Sequence, residues 1–202
     1  MDIATIAEQI CRPAELWSAG QIGGADGAVL KVPGIYAWYF DRVPALVPTE
    51  TCRRWKGLWL LYVGISPAYP PNPGAAKGRQ TLARRLKQHF LGNASASTLR
   101  LSLGCLLASE LGIGLRVSGK RMTFGADGER RLNSWMQAHA RVACVTYERP
   151  WETELGLIDM LSPPLNLKDN LANPFQDQLR KVRRDARERA REAAKLSTGV
   201  QY

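Results

Sequence analysis

The sequence is poor in the residues that would build a metal cluster or a disulfide framework. Its four cysteines, Cys11, Cys52, Cys105 and Cys144, are far apart with no CxxC pair, and there are only two histidines, His89 and His139. That pattern argues against a zinc site and against stapling disulfides, and predicts reduced cysteines in a cytoplasmic protein. Long apolar runs are missing too. The longest, over 58–65, falls far below the roughly 20 residues of a membrane helix. The opening Met1-Asp2-Ile3-Ala4 has neither the basic nor the apolar region of a signal peptide. A soluble protein with no membrane partner is expected. Acidic residues are scarce, 18 against 28 Lys and Arg, which leaves a net charge of +10. Such a surplus predicts a polyanionic partner, nucleic acid ahead of an anionic membrane surface.

At 202 residues, 45% of them hydrophobic, the chain can bury one substantial core. Gly34-Ile35-Tyr36-Ala37-Trp38-Tyr39-Phe40 and Leu58-Trp59-Leu60-Leu61-Tyr62-Val63-Gly64-Ile65 are rich in aromatic and β-branched residues and bounded by Gly, Pro or charge. Both read as buried strands. A third strand is expected over 141–147, where apolar and polar residues alternate until Pro150. A helix capped by Asp2 carries Ile3, Ile6, Ala7 and Ile10 and ends at Pro13. The glycine-rich stretch 20–27 reads as a linker into the first strand.

Further helices are expected over 81–91, after Ser97-Thr98, over 129–140 and over 151–161. The first of these sets Leu82, Leu86 and Phe90 on one face, with Arg85 and His89 beside them. In the 129–140 helix His139 is expected to close a core stripe at the C-terminus, where a cation also suits the helix dipole. Segments 115–117 and 122–124 read as a minor hairpin. The cluster Cys52-Arg53-Arg54-Trp55-Lys56 reads either as a nucleic-acid contact or as a solvated loop with one packed Trp. The Pro- and Gly-rich 66–79 is an exposed loop. Its 74–81 portion lacks the GK[ST] ending of a phosphate-binding loop, which excludes the NTPase reading.

Composition shifts again over 174–195. Leu179, Val182, Ala186, Ala190 and Ala193 trace a narrow apolar stripe on a long helix, and the other faces carry eight cations against Asp185, Glu188 and Glu192. Between Arg180 and Lys195 the surplus of five is half the net charge of the chain. The helix either presents a basic face to a nucleic-acid backbone or is a solvated helix with internal ion pairs such as Asp185 with Arg189.

Gly34-Ile35-Tyr36 and Tyr62-Val63-Gly64 resemble the two halves of the GIY-YIG nuclease signature, with Val63 in place of the usual Ile. Arg85, His89 four residues later, Glu154 before Leu157-Ile158, and Asn166 after Pro164-Leu165 follow in the family's order. The resemblance spans about 32–170 and implies an α/β (α+β) fold: a small, mainly antiparallel, three-stranded central sheet flanked by helices. Residues 1–31 would be an N-terminal extension, 32–170 the nuclease domain and 171–202 a basic helical extension. Residues 93–97 lack a further histidine that some members carry, so that group's role is lost or filled by a hydroxyl.

The resemblance also implies a divalent-metal-dependent endonuclease with DNA as its expected substrate. A lone carboxylate, Glu154, suits Mg²⁺ or Mn²⁺, because magnesium keeps most of its waters. Arg85 would clamp the scissile phosphate with a fork of donors. Tyr36 would orient or deprotonate water, helped by His89, since an ordinary tyrosine titrates near ~10. Tyr62 would hold water or phosphate, and Asn166 would fix the Glu154 loop or the phosphate. Arg84, Lys87, Arg180, Arg183, Arg184 and Arg187 are expected nucleic-acid contacts. The competing reading is a non-catalytic nucleic-acid-binding module on the same fold.

Overall fold

A computed structural model of the chain describes residues 1–24, 26–70 and 81–198, with side chains to residue 196. The expected 66–79 loop lies, beyond Pro70, outside the described residues. Strand β1 (Gly34–Phe40) is central, and every one of its residues is buried. It pairs antiparallel with β3 (Leu58–Ser66) on one side and with β6 (Ala140–Thr146) on the other. These are the three expected strands.

The sheet has a fourth strand, in the order β2-β3-β1-β6. β2 (Arg54–Trp55) folds back onto Leu58 and Trp59. The turn is Lys56-Gly57, both at positive φ (47° and 86°), the mirror-image turn that matches strand twist. Arg54 and Trp55 are therefore a strand and not a loop. The expectation of three strands fails because a lysine, unlike Asn or Asp, does not advertise that turn.

Helix α1 (Ile3–Cys11) is capped by Asp2, which accepts from Thr5 N at 2.8 Å. The supposed linker 20–27 instead holds helix α2 (Ala19–Gly23) and a 3-10 turn over Asp26–Leu30. A Ser18/Gln21 capping box starts α2. Helices α3 (Leu82–Leu91), α4 (Thr98–Leu106) and α5 (Ala108–Leu111) follow. Then come the hairpin β4 (Arg116–Ser118) and β5 (Arg121–Thr123) and helix α6 (Gly125–His139). α6 begins four residues earlier than expected. The expected 151–161 helix divides into a 3-10 turn, Pro150–Glu152, and α7 (Glu154–Leu161). The long basic helix is α8 (Gln176–Thr198).

Strand alternation sorts the core into two layers. Tyr36, Trp38 and Phe40 point to the layer built with α3, α4, α6 and α8, through Leu86, Phe90, Leu103, Trp135 and Leu179. Ile35, Ala37 and Tyr39 point to the other, with Ile6 and Ile10 of α1 and Leu157 and Leu161 of α7. Each fully buried Leu, Ile or Phe of these layers contributes roughly 1.5–3 kcal/mol.

The buried face of α8 includes Arg183, 8% exposed, between Leu179 and Ala186, whereas Ala193 is exposed. Asp185 pairs with Lys181 at 2.7 Å, not with Arg189. His139, the last residue of α6, packs its ring on Trp135 of the core stripe, with centroids 5.1 Å apart, as expected. It remains partly exposed, with Nδ1 2.9 Å from Asp41 Oδ1, tying the segment after β1 to the end of α6. Among the described residues no helix is long and apolar enough to cross a membrane.

Candidate active site

Glycine makes room for the first tyrosine. Tyr36 lies opposite Gly64 in the β1–β3 ladder. A Cβ at Gly64 would stand 2.5 Å from the Tyr36 hydroxyl oxygen, so only glycine lets that ring lie across the strand. Trp38 is opposite Tyr62, which puts Tyr62 on the same sheet face as Tyr36, with ring centroids 6.5 Å apart.

Helix α3 crosses this face, and the helical step from Arg85 to His89 points both at Tyr36. The Tyr36 oxygen is 2.8 Å from His89 Nε2, and Arg85 Nε–H donates to it at 3.3 Å. Arg85 also donates to Gln88 Oε1 (2.8 Å) and to the Ala96 carbonyl (3.2 Å), which hold its guanidinium at the wall of the cleft. Tyr62 Oη lies 3.4 Å from Thr98 Oγ1 at the start of α4.

α7 brings Glu154 from far along the chain. It is the first residue of α7, and no hydrogen bond or ion pair engages its carboxylate among the described residues. Tyr36, Tyr62, Arg84, Arg85, Gln88 and Glu154 all line one cleft of about 600 Å³. His89 lies beneath it, fully buried.

Asn166 takes a different place. Its Oδ1 accepts from Val63 N and its Nδ2 donates to Val63 O, both at 2.8 Å. The side chain thus acts as a ladder partner for the edge of β3 that the short β2 leaves uncovered. Nδ2 of Asn170 and of Asn173 donate to the Pro163 and Ser162 carbonyls, so a run of asparagines organises the exit from α7. Both ends of the Asn166 amide engage Val63, which suits fixing this segment.

Electrostatics divide the groups. Burial raises the pKa of Tyr36, aided by Tyr62 and opposed by Arg85. Burial likewise raises Tyr62, with Thr98, Arg85 and Arg183 pulling it back. His89 is driven well below the ordinary 6.5, first by burial and then by the Arg85 and Arg100 charges, so it is neutral at neutral pH. Glu154 is raised by burial and by Asp169, against Lys168 and Arg85. A half-buried, unpartnered carboxylate of this kind fits a hard divalent cation that brings its own waters. Among the described residues no group of three or more His, Cys, Asp and Glu could hold a metal.

The remaining basic residues lie elsewhere. Lys87 is exposed on α3 away from the cleft, and none of Arg180, Arg183, Arg184 and Arg187 lines it. Arg180 and Arg184 are exposed and Arg187 half-buried. Arg183 donates to Ser102 Oγ at 3.3 Å from inside the protein. Arg53, Arg54 and Trp55 line a larger cleft of about 670 Å³ on the opposite side of the sheet, against α1 and α7. That cleft lacks the tyrosine, histidine and paired donors of the first, so its size carries no catalytic argument.

Sequence reasoning passed over Ser97, Thr98, Arg100 and Glu129. Arg100, fully buried, donates to the His89 and Phe90 carbonyls at 3.0 Å and to Glu129 Oε2 at 2.5 Å. It thereby caps the C-terminus of α3 beneath the site. The legible signals were the Ser97-Thr98 helix start and the hydroxyls of 93–97, which stand where some members carry a histidine.

The family model described as the GIY-YIG catalytic domain matches residues 34–185, from the first glycine of β1 into α8. The chain therefore belongs to the GIY-YIG family and has its nuclease-type domain. No curated protein and no solved structure matches it.

Proposed function

We propose that the chain is a divalent-metal-dependent endonuclease that hydrolyses phosphodiester bonds, with DNA as substrate. The observation that carries this reading is the convergence of Tyr36, Tyr62, Arg85 and Glu154 on one cleft from four different elements. Glu154 is the residue that would hold Mg²⁺ or Mn²⁺. Such an ion, when bound, supplies charge neutralisation at the phosphoryl oxygens and acidifies water. Arg85, its Nε committed to Tyr36 and one terminal nitrogen to Gln88 and Ala96, offers its other terminal nitrogen to a phosphate. Tyr36 orients the attacking water and takes its proton, and Tyr62 fixes the substrate from the neighbouring strand. Arg84, beside the cleft, and the exposed Lys87, Arg180 and Arg184 contribute non-specific backbone attraction, with Arg187 at the margin.

The test is incubation with supercoiled plasmid, branched DNA and structured RNA in Mg²⁺ or Mn²⁺, followed by mapping of the ends. The expected result is metal-dependent nicking of DNA that disappears in Glu154→Ala and Arg85→Ala while binding persists. Salt-sensitive binding with no cleavage of any substrate in either metal would establish the non-catalytic module instead.

A further inference from the structure

Ser97 is 2% exposed, and its Oγ does two things at once. It accepts the Arg100 N–H at 3.1 Å as the cap of α4, and it lies 2.7 Å from His89 Nδ1. A serine hydroxyl has one proton and two acceptor lone pairs. Arg100 N–H occupies one lone pair, and among the described residues His89 is the only acceptor within reach of the proton. Were Nδ1 protonated, Ser97 would accept twice and bury its own proton without a partner, which buried hydroxyls rarely do.

The hydrogen-bond network therefore makes Nδ1 an acceptor. A neutral imidazole that accepts at Nδ1 carries its proton on Nε2. That Nε2–H faces the Tyr36 oxygen at 2.8 Å, and Arg85 Nε–H faces the same atom at 3.3 Å. With two donors aimed at it, the Tyr36 oxygen can direct its own proton only toward the cleft it lines.

We propose that Ser97 is a positioning residue that fixes the Nε2-protonated tautomer of His89, so that the Tyr36 oxygen is cradled by two N–H donors and loses its proton through the cleft, not through His89. The catalytic consequence rests on the hydrolytic reading above. Tyr36 gives its proton to cleft water, and the phenolate is held by the His89 and Arg85 N–H groups. It then takes a proton from the attacking water as that oxygen bonds to phosphorus. The bond from phosphorus to the leaving oxygen breaks, and the leaving oxygen is protonated from solvent. His89 stays neutral throughout and only donates.

The two histidines make this directly measurable. In a His139→Asn background, long-range proton–nitrogen correlation spectra of the imidazole are expected to show Nε2 protonated and Nδ1 bare at neutral pH. Ser97→Asp keeps a capping oxygen but has no proton to give, so it is expected to move the proton to Nδ1 and reverse the tautomer. Ser97→Thr keeps the hydroxyl and is expected to retain the wild-type spectrum. Nδ1 protonated in the otherwise wild-type chain overturns the proposal, as does a spectrum unchanged by Ser97→Asp. If Ser97→Asp does not fold, the spectrum of the His139→Asn chain decides alone. Plasmid nicking should fall by about 10²-fold in Ser97→Asp and survive in Ser97→Thr. A chain that nicks nothing yet shows the Nε2 tautomer would sink the nuclease reading and leave the tautomer assignment standing.

Discussion

Gly64 sits directly across the sheet from Tyr36, and a Cβ added there would lie 2.5 Å from the tyrosine oxygen and 2.6 Å from its Cζ. The Tyr36 ring is walled by Tyr62 and His89 and cannot swing away. Gly64→Ala should therefore cost about 1–3 kcal/mol of stability by overpacking. It should also displace Tyr36 from its two donors and lower nicking by about 10²-fold. Chemical denaturation together with a nicking assay checks both, and an unaltered protein would show that the ring has slack this geometry denies it.

Asn166 serves Val63 through both ends of its amide. Asn166→Asp replaces the donor with an oxygen facing the Val63 carbonyl, so it should be more destabilising than its size suggests, by about 1–3 kcal/mol for the unsatisfied buried group. Asn166→Ala should cost a similar amount. Urea midpoints measure this, and loss of nicking without loss of stability would point to a substrate contact instead.

Glu129 accepts from Ala94 N and Phe124 N as well as from Arg100. Removing it strands a guanidinium that is fully buried. Glu129→Ala is expected to cost about 3–5 kcal/mol, whereas Arg100→Met with Glu129→Leu should recover much of that loss, because no lone charge remains. Thermal unfolding of the single and double variants reads the difference.

His89 is held neutral by burial and by the charges of Arg85 and Arg100. In the unfolded chain it titrates near 6.5, so below that pH the unfolded state binds a proton that the folded state refuses. Its folded pKa is depressed, so this contribution is full above the unfolded value of 6.5 and declines as pH falls from there toward the folded value. The slope approaches about 1.4 kcal/mol per pH unit. Denaturation of wild type and His89→Gln between about pH 7 and pH 5 isolates this contribution. Equal slopes for the two would contradict it.

Arg85 binds Tyr36 through Nε and Gln88 and Ala96 through one terminal nitrogen. A lysine offers a point charge and no such fork. Arg85→Lys should keep much of the nucleic-acid affinity and lose about 10²–10³ in turnover. Binding and single-turnover cleavage, measured on the same DNA, separate the two effects.

The sequence by itself determined the three long strands, the helix that carries Arg85 and His89, and the glycines beside both tyrosines. Each of these is local: side-chain periodicity, capping residues and the space a missing Cβ leaves are written within a few positions of one another. Local order also made Glu154 visible, although only packing shows it meeting Arg85 across one cleft. The fourth strand escaped because Lys56-Gly57 is an unadvertised turn. Arg183 reads as one more cation of a basic helix until α8 docks and turns it inward. Asn166 on Val63, 103 residues away, and Tyr36 on His89, 53 residues away, are pairings that no periodicity encodes. Which polar group meets which inside the protein is decided when distant elements close over them and every buried donor must find an acceptor.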